Sequence, residues 1–179
     1  MGNIYIDSIF QPYFESYCLV LGGKLALFSP VYRSQFQPNH SFSVAGKISQ
    51  DAWIVFKELF DLLDNKEGTW RVTSAVAPCQ FLSSTWDVLI KDSRYANISN
   101  HPMVQYFRQV RNAASHGNHF KIDSDLVDTA TNTLKKKAEW RNSQITPEMN
   151  GAILIPDYME VADPIWLISD ISNLLKKSA

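Results

Sequence analysis

The chain has 179 residues, 45% of them hydrophobic and 20% charged, with a formal net charge of -1. This balance suits one folded domain, residues 1–179, with its own core, and excludes both a disordered chain and a protein held to nucleic acid by overall charge. Any affinity for phosphate has to come from a local cluster.

The first residues, MGNIYIDSIF, lack a basic stretch followed by an apolar run, and Ile6 stands where a myristoylation motif needs Ser or Thr. No stretch is apolar for long enough to span a bilayer. Cys18 and Cys79 are the only cysteines, too few for a disulfide framework or a thiolate zinc site. They read as reduced thiols, so a soluble, cytoplasmic protein is expected.

Periodicity predicts an aromatic-rich helix over about residues 7 to 21, closed by Gly22-Gly23, then a long connection to about residue 48 containing Pro30, Pro38 and Gly46. Asp51 to Asp64 reads as a helix capped by Ser49, with Trp53, Phe56, Phe60 and Leu63 on its buried face. From about 70 to 92 a helix is expected to kink or break at Pro78, and Leu82, Trp86, Leu89 and Ile90 continue the apolar stripe beyond it.

The next helix starts near His101-Pro102 and stops at Gly117. A further helix is predicted from about Ser124 to Lys137, its three terminal lysines favouring the dipole. QITPEMNGAILIP then signals a short β-hairpin turning at Asn150-Gly151. Asp163-Pro164 opens a last helix with a stripe of Ile165, Ile168, Ile171, Leu174 and Leu175. The expected fold is mainly α, a single-domain antiparallel helical bundle with a small β-hairpin near the C-terminus.

Chemistry concentrates in FRQVRNAASHGNHF, residues 107 to 120. At about 100° per residue, Met103, Phe107, Val110 and Ala114 share the core side of this helix. Gln105, Arg108, Gln109, Asn112, Ser115 and His116 lie opposite, with Arg111 at one edge. An ordinary solvated face mixes Glu with Lys, yet no acid occurs between Asp92 and Asp123. Arg111 and His116 are five residues apart, hence about 140° apart around the helix. Two groups so placed converge poorly on one phosphate within one chain, whereas two copies about a two-fold axis close that angle.

Arg111-Asn112-Ala113-Ala114-Ser115-His116 resembles the arginine, four residues, histidine signature of the HEPN superfamily, in the form with a polar residue directly after the arginine. The stretches AEWRNSQITPEMNG and DPIWLISDISNLLKK are similar to the tail of some prokaryotic HEPN proteins. The resemblance implies an all-α domain whose motif helix packs near a dimer axis, and metal-independent endoribonuclease activity in a homodimer with a composite site. It also implies a toxin or defence effector with an antitoxin or regulatory partner. HEPN toxins paired with a minimal nucleotidyltransferase often carry a tyrosine two residues after the histidine. Asn118 stands there, so the resemblance does not extend to that pairing.

In such a site His116 acts as general base on the ribose 2′-hydroxyl or as general acid on the leaving oxygen. Arg111 holds the phosphate and stabilises developing charge, and Asn112 orients the imidazole or donates to phosphate. The product is a 2′,3′-cyclic phosphate, and DNA is spared. Arg108, His119 and Lys121 are candidate RNA contacts.

No cofactor is expected, and no metal site either, because Gly117 interrupts the His116/His119 spacing. Lys135, Lys136, Lys137 and Arg141 read either as an RNA-contacting patch or as a solvated helix end. The alternative for the whole chain is a catalytically inactive helical module that uses the motif face for dimerisation or ligand binding.

Overall fold

The computed structural model describes residues 4–37, 39–44, 52–64 and 69–178. The chain packs as two compact units, one of Met1–Tyr17 with Ser74–Ala179 and one of Cys18–Thr73. The described chain is mainly α-helical, with small two-stranded antiparallel sheets.

Helix α1, Gln11–Phe28, runs through Gly22-Gly23 instead of stopping there. Neither glycine takes the left-handed conformation that ends a helix, and Leu19, Leu21, Lys24 and Ala26 around them are good helix formers.

In the second unit Ser29 caps the short α2, Pro30–Arg33, its hydroxyl accepting from the Tyr32 amide at 3.4 Å. Strands β1, Ser41–Val44, and β2, Ala52–Val55, pair antiparallel from Ser41↔Val55 to Val44↔Ala52. The expected helix from Asp51 therefore begins only at Phe56, as α3, Phe56–Asp64. Trp53, Ile54 and Val55 are aromatic or β-branched and extend readily when a partner strand is present. Ser49, the expected cap, lies outside the described residues. The Phe36, Phe56 and Phe60 rings follow one another at 4.4 and 5.9 Å, and Arg33 lies over Phe60 while bonding Asp64 at 2.8 Å.

Helix α4, Thr69–Leu89, passes through Pro78 without the expected break. The proline costs about 3 kcal/mol in a helix interior, and the buried neighbours Ala75, Cys79, Phe81 and Leu82 offset that loss. After α5, Tyr95–Ile98, comes α6, Pro102–Ser115, bounded as the sequence predicts. The His101 ring accepts from the Met103 amide at 3.2 Å, and Gly117 has φ 70° just past the C-cap.

Three contacts fix how α4 and α6 run. Cys79 donates to Asn118 at 3.4 Å, the Ser83 and Ser115 hydroxyls meet at 3.2 Å, and the Trp86 ring meets Phe107 edge-on at 5.3 Å. As one number rises the other falls, so the two helices run antiparallel, and Val104, Phe107, Val110 and Ala113 of α6 are fully buried.

The helix expected from Ser124 to Lys137 does not form. A single 3-10 turn at Ser124–Leu126 leads into strand β3, Val127–Asp128, paired with β4, Thr133–Leu134. Asp128 accepts from the Ala130 amide at 2.9 Å and Asn132 takes φ 50°. Side chains that bond locally and tolerate positive φ favour a turn over a helix.

The hairpin near the C-terminus is β5, Glu139–Trp140, with β6, Ser143–Gln144, and it turns at Arg141-Asn142. Asn150-Gly151 instead makes a type II turn, with φ/ψ of −57°/124° at Asn150, φ 86° at Gly151, and Ala152 donating to Met149 at 2.9 Å. Only one of its residues takes the positive φ that the tight hairpin turn needs at both.

The segment after that turn pairs with the exit from α6, through Gly151 to Phe120 at 2.7 Å and Leu154 to Asn118 at 2.9 Å. Asn118, at φ 69°, also donates to the Ile155 carbonyl at 2.6 Å and accepts from the Ile155 amide at 3.0 Å. Asn118→Ala strands both polar groups of the buried Ile155, so urea unfolding should show a loss of about 2–3 kcal/mol.

The last helix, α7, Asp163–Lys177, buries Leu167, Ile168, Ile171 and Leu175. Its Ser169 and Ser172 hydroxyls each accept a 3.0 Å bond from the backbone amides of Tyr5 and Asp7, which fastens the N-terminal segment to it.

Candidate functional site on helix α6

The motif residues lie in the last turns of α6. Arg108, Ser115 and His116 are exposed and Asn112 is half-buried, so the row at intervals of four faces outward as the sequence indicates. Gln105 and Gln109, expected on that same side, are buried. Structure from outside the helix packs there, and β5 is one of its neighbours. Gln105 satisfies its amide on the Ser99 carbonyl at 2.5 Å, whereas the Gln109 Oε1 has no partner among the described residues. The open strip of α6 is thus narrower than amphipathic projection predicts.

His116 is the C-cap, at φ −104° and ψ 43°, its amide bonded to the carbonyls of Asn112 and Ala113 at 3.0 and 3.1 Å. The chain leaves the helix there, so the imidazole stands at an exposed corner without a hydrogen bond among the described side chains.

Arg111 is held differently. Its Nη2 donates to Asp87 of α4 at 3.1 Å, while its Nε is buried and unpartnered. The absence of acids within the α6 sequence is therefore made good from the neighbouring helix. Antiparallel packing sets Asp87 beside Arg111 and Ser83 beside Ser115, both pairs spaced by four on their helices. Sequence reasoning missed Asp87 and Ser83. Their only signal was a position beside the Leu82, Trp86, Leu89 stripe, which marks a helix border but names no partner.

His119 and Lys121 are exposed but lie beyond Gly117, in the segment paired with residues 151–155. The His119 Nδ1 stands 3.1 Å from the Gly151 carbonyl. The structure therefore brings Arg108, Asn112 and His116 onto one strip and joins Arg111 to α4. It does not join Arg111 to His116 within one chain.

Among the described residues no group of three His, Cys, Asp or Glu side chains is placed to hold a metal. No described helix is long and apolar enough to cross a membrane. Compared with known proteins, the chain matches no family model, no curated protein and no solved structure. The likeness to HEPN proteins rests on the motif and its surroundings in this chain.

What the arrangement offers chemically is limited and specific. A guanidinium keeps free donors beside a weak, exposed carboxylate bond, an amide and an imidazole stand one turn apart, and two hydroxyls sit alongside. Such a set has the donors to hold an anion and a group able to take up or release a proton.

Proposed function

We propose that the chain is a metal-independent endoribonuclease of HEPN type, acting as a homodimer in which Arg111, Asn112 and His116 of two copies form one composite site. The observation that carries this reading is the exposed, unpartnered imidazole at the end of α6, with Asn112 and Arg111 in the turn before it. The packed α4, α6 and α7 are, on this reading, the helical bundle of a HEPN domain. His116 moves the proton at the 2′-hydroxyl or at the leaving oxygen, and Arg111 neutralises the phosphate. The proposed setting is a cytoplasmic toxin or defence effector restrained by an antitoxin or regulatory partner.

Substrate competes with Asp87 for Arg111. Exposed ion pairs of this kind contribute about 0–1 kcal/mol, so the exchange is within reach of a phosphate dianion or diester. Asp87→Asn should tighten binding of an uncleaved oligoribonucleotide up to about fivefold, as read by fluorescence anisotropy.

A second reading is supported by the Arg111–Asp87 bond itself, because it ties the motif arginine into helix packing. On that reading the chain is a non-cleaving interaction module. The test is incubation of single-stranded and structured RNAs with wild type and His116→Ala in excess chelator. Cyclic-phosphate ends produced only by wild type support the nuclease, and no cutting by either supports the module.

A further inference from the structure

The start of α6, the β5–β6 hairpin and the last turns of α7 enclose a groove of about 710 Å³. Met103, Pro102 and Leu174 give it a half-buried apolar floor, and Trp140 also lines it. Arg141 shapes its wall. At φ 52° this residue lies over the Trp140 and Trp166 rings at 4.9 and 5.3 Å, and its Nε donates to Asp170 at 3.0 Å. The Trp140 indole donates to the same Asp170 oxygen at 2.8 Å.

Both acids of the groove are thus engaged, Asp170 by these two donors and Glu139 by Lys137. The cations are not all so matched. Among the described residues Arg141 bonds only through Nε, and Lys177 has no carboxylate partner. Lys136 is bonded to the Asn100 side chain at 2.8 Å, next to His101 on the groove rim. Of the lysine run and Arg141, which the sequence leaves as either a patch or a helix end, Arg141 lines the groove, and Lys136 and Lys137 are bonded to Asn100 and to Glu139.

We propose that this groove binds a segment of single-stranded RNA, with phosphates on Arg141 and Lys177 and a base over the Met103–Leu174 floor. A guanidinium held over indole rings keeps its terminal donors available for phosphate contact. The volume falls within the range of small-molecule sites, about 300–1,000 Å³. The substrate assignment rests on the ribonuclease reading. The groove opens at the first turn of α6 and His116 ends the same helix of 14 residues. At about 1.5 Å per residue the two are separated by at least roughly 21 Å along the helix axis.

Binding of a fluorescein-labelled single-stranded 12-mer of RNA is measured by anisotropy across a salt series, in full-length His116→Ala so that nothing is cut. Lys177→Glu should weaken binding by about fivefold or more and lower the log–log salt slope by about one. Asn173→Lys, which adds a cation to the same wall, should strengthen it, and Lys91→Glu outside the groove should leave it unchanged. Equal affinity of the Lys177→Glu and parent proteins overturns the proposal. So does a Lys177-dependent affinity for an acidic peptide without one for RNA. Cleavage by wild type is scored separately. Lys177-dependent binding with no cleavage sustains the groove and removes the nuclease, whereas cleavage with Lys177-independent binding does the reverse.

Discussion

Replacing His116 with alanine should lower RNA cleavage by about two to four orders of magnitude while leaving the fold intact. The two halves of that result have separate grounds. His116 is exposed and its side chain makes no hydrogen bond among the described residues, so its removal leaves no cavity and strands no partner. Its backbone amide, which closes the helix on Asn112 and Ala113, is retained in alanine. Proton transfer, by contrast, has no substitute on this strip, since Ser115 and Asn112 do not titrate near neutrality. Arg111→Ala should lose activity comparably through the lost phosphate contact, but with a small cost in stability because it also abandons Asp87. Chelator-resistant cleavage, thermal melts and sedimentation of the same preparations separate the readings. Weakened dimers with no activity to lose would sink the nuclease and leave the interaction module.

The largest stability effect is expected at Arg94. Its guanidinium bonds Asp92 through Nε and Nη2, both at 2.8 Å, and Asp7 through Nη1 and Nη2 at 2.9 and 3.2 Å. Asp7 is only 4% exposed and is itself fixed to α7 through Ser172. Arg94→Met leaves that carboxylate buried without a cation, which costs about 3–5 kcal/mol. A thermal midpoint lower by roughly 10 °C or more follows at neutral pH.

The effect depends on pH with a definite sign. Burial pushes the Asp7 carboxyl up, but hydrogen bonds from Arg94 and from the Ile9 amide outweigh it and the pKa lies below the usual carboxylate value. Asp92 is lowered by its hydrogen bond from Arg94. A carboxylate whose folded pKa is depressed contributes its stability fully above the unfolded value, about 3.9, and loses it as pH falls through the folded value. The gap between wild type and Arg94→Met should therefore be widest near neutrality and close below about pH 4. A gap independent of pH would assign Arg94 a packing role instead.

Local rules made the motif helix legible. His101-Pro102 and Gly117 set the ends of α6 as the sequence indicates, because capping and positive φ are decided within a turn of chain. The same locality failed where a partner decided the outcome. Trp53 to Val55 extend because β1 pairs with them, and Gly22-Gly23 stay helical inside α1. The segment 124–137 turns instead of coiling, a choice its own Asp128 and Asn132 make through local bonding that helical periodicity does not register.

The candidate site divides along the same line. Sequence by itself determined that Arg111, Asn112 and His116, on which the proposed function rests, occupy the end of one helix, since residue type and helical spacing are properties of the chain. Only the tertiary structure decided that Asp87 neutralises Arg111, that Gln105 and Gln109 are buried, and that Arg141 and Lys177 line one groove. These depend on the register of α4 against α6 and on the path of the chain from 118 to 155, which are set by packing between segments far apart in sequence, and no local pattern encodes such a register.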